Sequence, residues 1–142
     1  MNKKLIIFGV LIVSVVGAII LLSGRKQEPG KLDRFAQCLK DKGAVFYGAY
    51  WCPHCQNQKK MVGSSESLLP YVECSTPDGK SQTKVCIDKK IESYPTWEFA
   101  DGSRLNGEIP LEQLATETGC TLPSGAESKP ESPAYAPPRE KP

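Results

Sequence analysis

Phe46-Tyr47-Gly48-Ala49-Tyr50-Trp51-Cys52-Pro53-His54-Cys55-Gln56 is the stretch on which the reading of this chain turns. Its first half is short, apolar and aromatic, so residues 44–50 read as a buried strand. Pro53 suits the first turn of a helix, where its missing N–H is not needed. That helix is expected to run to Met61 or Val62, with Gly63 as its stop. Cys52 therefore falls between a strand and a helix start, where free backbone N–H groups and the helix dipole favour negative charge. A thiolate, not a thiol, attacks a disulfide, and Cys-X-X-Cys spacing at such a junction favours the ionised form of the first thiol. Cys52 is thus the expected attacking sulfur. Cys55, one turn further in, is the expected resolving one.

Two neighbours within the stretch bear on that chemistry. His54, the chain's single histidine, lies between the sulfurs and would add positive charge or a hydrogen-bond donor that steadies the thiolate. The alternative is an exposed loop histidine with no role. Trp51 either belongs to a docking surface or merely packs the site.

Outward from this centre the chain reads as one domain. Residues 31–42 carry Leu32, Phe35, Ala36 and Leu39, an i, i+3, i+4, i+7 stripe that predicts an amphipathic helix ended by Gly43. Beyond the dithiol helix, residues 69–74 read as a strand, 75–80 as a turn and 81–90 as a helix. Tyr94-Pro95 breaks the chain. Residues 96–100 and 103–108 read as strands joined at Asp101-Gly102, and 110–119 as a last helix with Leu111, Leu114, Ala115 and Thr118 on one face. The order helix, β, α, β, α, β, β, α implies an α/β fold, a central mixed sheet flanked by helices.

The two ends differ from this middle. Residues 5–22 are LIIFGVLIVSVVGAIILL, free of charge. As a helix this run would span about 27 Å, close to the roughly 30 Å of a bilayer's hydrocarbon. Lys3 and Lys4 precede it and favour a cytoplasmic N-terminus over residues 1–4. Leu22-Ser23-Gly24 offers no A-x-A-like cleavage site, so 5–22 is expected to be an uncleaved transmembrane signal anchor rather than a leader peptide. Residues 23–30 form a polar linker and 31–121 the globular domain. Residues 122–142 are rich in Pro, Ser, Glu and Lys and are expected to be disordered.

The net charge of +2 is small and of mixed sign, which gives no reason to expect nucleic acid. The six cysteines matter more. Unpaired thiols at this density are unusual in an exported domain. Cys52, Cys55, Cys74 and Cys86 could instead be four zinc ligands. Structural zinc sites usually bring two close pairs, and eleven residues separate Cys74 from Cys86, so no metal is expected.

The residues 46–56, taken with Leu69-Pro70-Tyr71-Val72-Glu73-Cys74, Cys86 and Ser93-Tyr94-Pro95-Thr96-Trp97, resemble the thioredoxin-like domain linked to bacterial vitamin K epoxide reductase homologues. The resemblance covers about residues 31–120. It implies a thioredoxin-like fold, with Tyr94-Pro95 as the cis-proline loop facing the dithiol and binding substrate backbone as a short added strand. It implies a second disulfide between Cys74 and Cys86, and no cofactor beyond the redox-active disulfide. For Cys38 and Cys120 a third disulfide is the favoured reading, with two buried thiols as the alternative. It also implies partners: exported cysteine-containing proteins on one side, and a membrane quinone reductase of the vitamin K epoxide reductase type on the other. The expected protein is then a single-pass, membrane-anchored disulfide oxidoreductase with its catalytic domain extracytoplasmic. A reductase or isomerase is the alternative within that chemistry, and a non-catalytic anchored binding module the alternative outside it. In one respect the sequence departs from cytoplasmic thioredoxins, which place an acidic residue six positions before the first active cysteine. Phe46 stands there. A proton acceptor for Cys55 must come from elsewhere, with Glu98 or water as candidates; otherwise Glu98 is an ordinary exposed strand residue.

Overall fold

The computed structural model describes residues 30–126. The expected anchor at 5–22, the linker up to residue 29 and residues 127–142 of the expected tail lie outside the described residues; residues 122–126, expected to belong to the disordered tail, are instead ordered here, with Leu122 and Ala126 packed against the main core and Ala126 N donating to Pro123 O. Among the described residues no helix is long and apolar enough to cross a membrane.

Helix α1 (Asp33–Asp41) buries Phe35, Ala36 and Leu39, the stripe expected from their spacing. Leu32 caps it and is itself buried. Strand β1 (Val45–Gly48) leads into helix α2 (Pro53–Val62). A 3₁₀ segment, Gly63–Leu68, follows. Gly63 adopts φ +56°, a conformation that glycine reaches without the steric cost a side chain would bring. Strand β2 (Tyr71–Glu73), helix α3 (Lys84–Asp88), strands β3 (Thr96–Glu98) and β4 (Arg104–Asn106), and helix α4 (Leu111–Thr118) complete the domain. The strands and α3 are shorter than the sequence predicts, because the flanking residues leave the ladders for turns. The β3–β4 connection, for example, closes with Phe99 N donating to Ser103 O and Gly102 N to Phe99 O.

The sheet order is β2-β1-β3-β4. β1 pairs parallel with β2 and antiparallel with β3, and β3 pairs antiparallel with β4. Register places Tyr71, Phe46, Trp97 and Leu105 side by side across all four strands. Phe46 stacks on Trp97 with ring centroids 4.9 Å apart and meets Tyr71 edge-on at 5.1 Å. Such pairs contribute about 0.5–1.5 kcal/mol each beyond the area they bury. This row joins the main core with residues of α1, α2 and α4. A smaller cluster holds Tyr47, Cys74, Cys86 and Ile91, with Val45 and Val72 packed on it. It includes Cys86 from α3, so the pleat of the sheet sends alternate residues into two separate packings.

Candidate active site

The ladder of β1 ends at Gly48, and the next residues turn into α2. Cys52 caps that helix with extended backbone (φ −77°, ψ 120°), and Pro53 begins it. Cys52 N donates to Ala49 O, and Gln56 N to Cys52 O. A Cβ on Gly48 would stand 2.8 Å from Cys55 Sγ and 3.0 Å from the Tyr71 ring. Only a residue with no side chain lets the second sulfur lie against the strand.

Both sulfurs of the pair are buried thiols in this structure. Cys52 Sγ lies 3.7 Å from the carbonyl oxygen of Tyr94. The Tyr94–Pro95 peptide is cis, and Pro95 is fully buried. The cis-proline loop therefore faces the first sulfur, as the resemblance implies. Burial pushes the Cys55 thiol up to about 12; a backbone hydrogen bond from Ala49 opposes the rise, and the Cys52 thiol adds to it. The pair is thus asymmetric, with Cys55 held neutral across the physiological range.

A labelling experiment follows from that asymmetry. At pH 8, with Cys55 held protonated, iodoacetamide should add one carboxamidomethyl group to the reduced native protein, on Cys52. Denaturation should expose both thiols. Mass spectrometry with peptide mapping reads this out, and equal labelling of the two in the native state would contradict it.

Two segments hold the frame. On one side, Glu73 Oε1 accepts from Tyr50 N (3.3 Å) and Ser75 N (2.8 Å), and its Oε2 accepts from the Tyr71 hydroxyl (2.7 Å). Trp51 Nε1 donates to Ser75 Oγ at 2.8 Å, and its ring meets Tyr94 edge-on at 6.1 Å. Trp51 and Tyr50 are each 49% exposed, so both anchor the loop and offer surface beside Cys52. On the other side, residues 107–109 form a strap. Gly107 N donates to Pro95 O. Buried Gln58 pairs with both backbone groups of Ile109, at 2.9 and 2.6 Å. Between them, Glu108 Oε1 accepts from Asn57 Nδ2 at 3.2 Å and lies 2.6 Å from His54 Nδ1. The expectation for His54 changes accordingly. Its Nδ1 is taken by a carboxylate and is not available to Cys52.

Glu98 is neither of the things expected of it. Its carboxylate is bound by Lys89 and Arg104. Burial pushes its carboxyl up, but those hydrogen bonds more than offset this and hold it below the ordinary range. It is also not an ordinary exposed residue, with a side chain only 13% accessible. The pleat explains its place. Glu98 lies opposite Val45, and its charge is felt by Tyr47 in the smaller cluster, whereas Phe46 and Gly48 point to the Cys55 side.

Cys74 is bonded to Cys86, and Cys38 to Cys120, with Cα atoms 5.5 and 5.9 Å apart. The first bond takes two sulfurs from the four-thiolate zinc set. Among the described residues no group of three or more His, Cys, Asp or Glu is arranged to hold a metal.

Sequence reasoning brings Trp51, Cys52, Pro53, His54, Cys55, Tyr94 and Pro95 together, and the structure gathers them at one end of α2. It did not find Glu73, Glu108, Gln58 or Tyr71. Tyr71 and Glu73 lie in the stretch 69–74 that carries the resemblance, but nothing there assigns them a role, and no local pattern marks Gln58 or Glu108; each acts through a contact that only the tertiary fold creates.

No family model matches the chain. It is similar to the thiol-disulfide oxidoreductase LTO1 of Arabidopsis thaliana, 46% identical over 98 residues that make up 66% of this chain and 26% of that protein. It is also similar to a thioredoxin domain-containing protein 5 homolog of Drosophila melanogaster, 30% identical over 99 residues, covering 59% of this chain and 23% of that one. The chain thus spans about a quarter of the length of these curated relatives. The mixed sheet, the dithiol at the helix start and these similarities are those of a thioredoxin-like disulfide oxidoreductase domain.

Proposed function

We propose that this chain exchanges disulfides with exported proteins outside the cytoplasm and is reoxidised by a membrane quinone reductase of the vitamin K epoxide reductase type. The observation that carries the reading is the asymmetric dithiol under the cis-proline loop: Cys52 Sγ is 3.7 Å from Tyr94 O, and Cys55 is raised to about 12 by burial. Two further disulfides in so small a domain support an oxidising compartment. The apolar run 5–22 supports a membrane anchor.

In the oxidising direction a client thiolate attacks Cys52 Sγ of the Cys52–Cys55 disulfide. A mixed disulfide forms, the Cys52–Cys55 bond breaks, and Cys55 leaves and takes up a proton. The client's second thiolate then attacks its own half of the mixed disulfide and releases Cys52 as a thiolate. The client has lost two electrons and the domain has gained two. A quinone reductase would return the pair to the disulfide.

The test is the reduction potential of the Cys52–Cys55 couple against glutathione. A value near about −120 mV supports an oxidant, and one near about −270 mV supports a reductant instead. Compartment is tested separately. A membrane-impermeant maleimide applied to intact cells after mild reduction should label Cys52. Protection until the cells are lysed would place the domain on the other side.

A further inference from the structure

The strap residue Glu108 is the feature of the site that disulfide exchange does not by itself require. Its side chain is 5% accessible, yet it approaches a histidine whose side chain is 60% accessible. Its Oε1 is shared by His54 Nδ1 and Asn57 Nδ2. Its Oε2 is buried with no hydrogen-bond partner. A buried carboxylate with an unpartnered oxygen is costly unless a charge nearby balances it. The ion-pair partner that the fold supplies is His54. At 2.6 Å the two groups are within hydrogen-bond distance, so Nδ1 is the donor whenever Glu108 is ionised.

The anchoring of the strap gives this contact its precision. Gly107 is tied to the carbonyl of Pro95, and Ile109 to Gln58 on α2. Glu108 is therefore tied through its two neighbours to both the cis-proline loop and the dithiol helix. The contact fixes one ring nitrogen of an otherwise exposed imidazole against the strap.

We infer that Glu108 is a positioning residue that turns the His54 imidazole away from Cys52 and cancels its charge, so that the Cys-Pro-His-Cys site is less oxidising than its tetrapeptide alone would make it. This rests on the redox reading above. The physical reason is electrostatic. A free imidazolium two residues from Cys52 would stabilise the thiolate and hence the dithiol form, whereas an imidazolium paired with a carboxylate presents little net charge.

The experiment is equilibration of the protein with glutathione at pH 6, where a free imidazole of ordinary pKa about 6.5 is mostly charged. The reaction is dithiol plus oxidised glutathione giving disulfide plus two reduced glutathiones. Glu108→Gln should lower its equilibrium constant three- to tenfold; a tenfold change corresponds to about 30 mV. The double variant Glu108→Gln, His54→Ala, with neither charge, should return to within about twofold of the wild type. An unchanged or increased constant for Glu108→Gln would overturn the inference, as would a shift that persists without His54. A second measurement needs no variant. Because the chain has one histidine, nitrogen-15 shifts of its ring are unambiguous, and in the neutral ring Nδ1, which faces Glu108, should be the nitrogen that carries the proton. A bare Nδ1 would equally overturn it. If the wild type fails to exchange with glutathione at all, the redox reading itself falls. If it exchanges normally and Glu108→Gln behaves as wild type, only the role of Glu108 falls.

Discussion

Cys52→Ser is expected to abolish disulfide exchange, with a loss on the order of a thousandfold or more, as when a covalent nucleophile is removed. The argument starts from position. Cys52 caps α2 and stands at the mouth of the site beside Tyr94 O, whereas Cys55 lies behind it against Gly48. Burial raises Cys55 to about 12, so it cannot take over as nucleophile at neutral pH. A serine hydroxyl is not appreciably ionised there and forms no disulfide. The remaining sulfur is therefore both neutral and inaccessible. Cys55→Ser should behave differently. Given a client that already carries a disulfide, Cys52 still attacks it and releases one client thiol, but no Cys55 thiol resolves the product, so mixed disulfides should accumulate and appear as bands that disappear on reduction. Oxidation of a reduced, unfolded client by protein pre-treated with oxidised glutathione, followed by free-thiol titration, measures Cys52→Ser against the wild type, and non-reducing gels of Cys55→Ser mixed with a disulfide-bearing client read out the trapped species. Substantial exchange by Cys52→Ser would show that the chemistry lies elsewhere, and would leave the binding-module reading standing.

Much of this arrangement was legible before any coordinates, and the reason is local. Pro53 and Gly63 set the ends of α2 by their own backbone limits, and the stripe Phe35, Ala36, Leu39 announces a buried face because its spacing matches the helical period. Strand ends were less legible. Ala49 and Tyr50 look like strand by composition, but the chain must leave the sheet there to enter the active-site turn. The 3₁₀ segment at Gly63–Leu68 has no periodic signature at all. Side-chain partnerships were the least legible. Glu98 looked available as a proton acceptor until register placed it opposite Val45, with Lys89 and Arg104 around it. Glu108 looked like the last residue of a strand, yet its partner His54 is 54 residues away in sequence. Propensity and periodicity describe a residue's neighbours along the chain. They carry no information about which charged group arrives from another element.

Removing the Cys38–Cys120 bond should have the largest effect on stability. Replacing both cysteines with serine is expected to cost roughly 4–5 kcal/mol, against roughly 3 kcal/mol for the Cys74–Cys86 pair. The difference follows from the loops they close, with sequence separations of 82 and 12 residues. A cross-link acts mainly on the unfolded chain, and the longer loop removes more of that chain's freedom. The bond also joins α1 to the residue just after the αL glycine, Gly119, that ends α4. It therefore clamps the first and last helices of the described domain onto the same core, and Cys120 is itself part of that core. Small domains have about 5–15 kcal/mol in all. Losing this bond alone should then lower the melting temperature by roughly 20–30 °C. Urea unfolding of the two double-serine variants, with Cys52 and Cys55 kept reduced, compares the pairs directly. If the Cys74–Cys86 variant proved the weaker of the two, chain entropy would not be what these bonds chiefly contribute, and packing of the smaller cluster around Tyr47 and Ile91 would have to account for the difference.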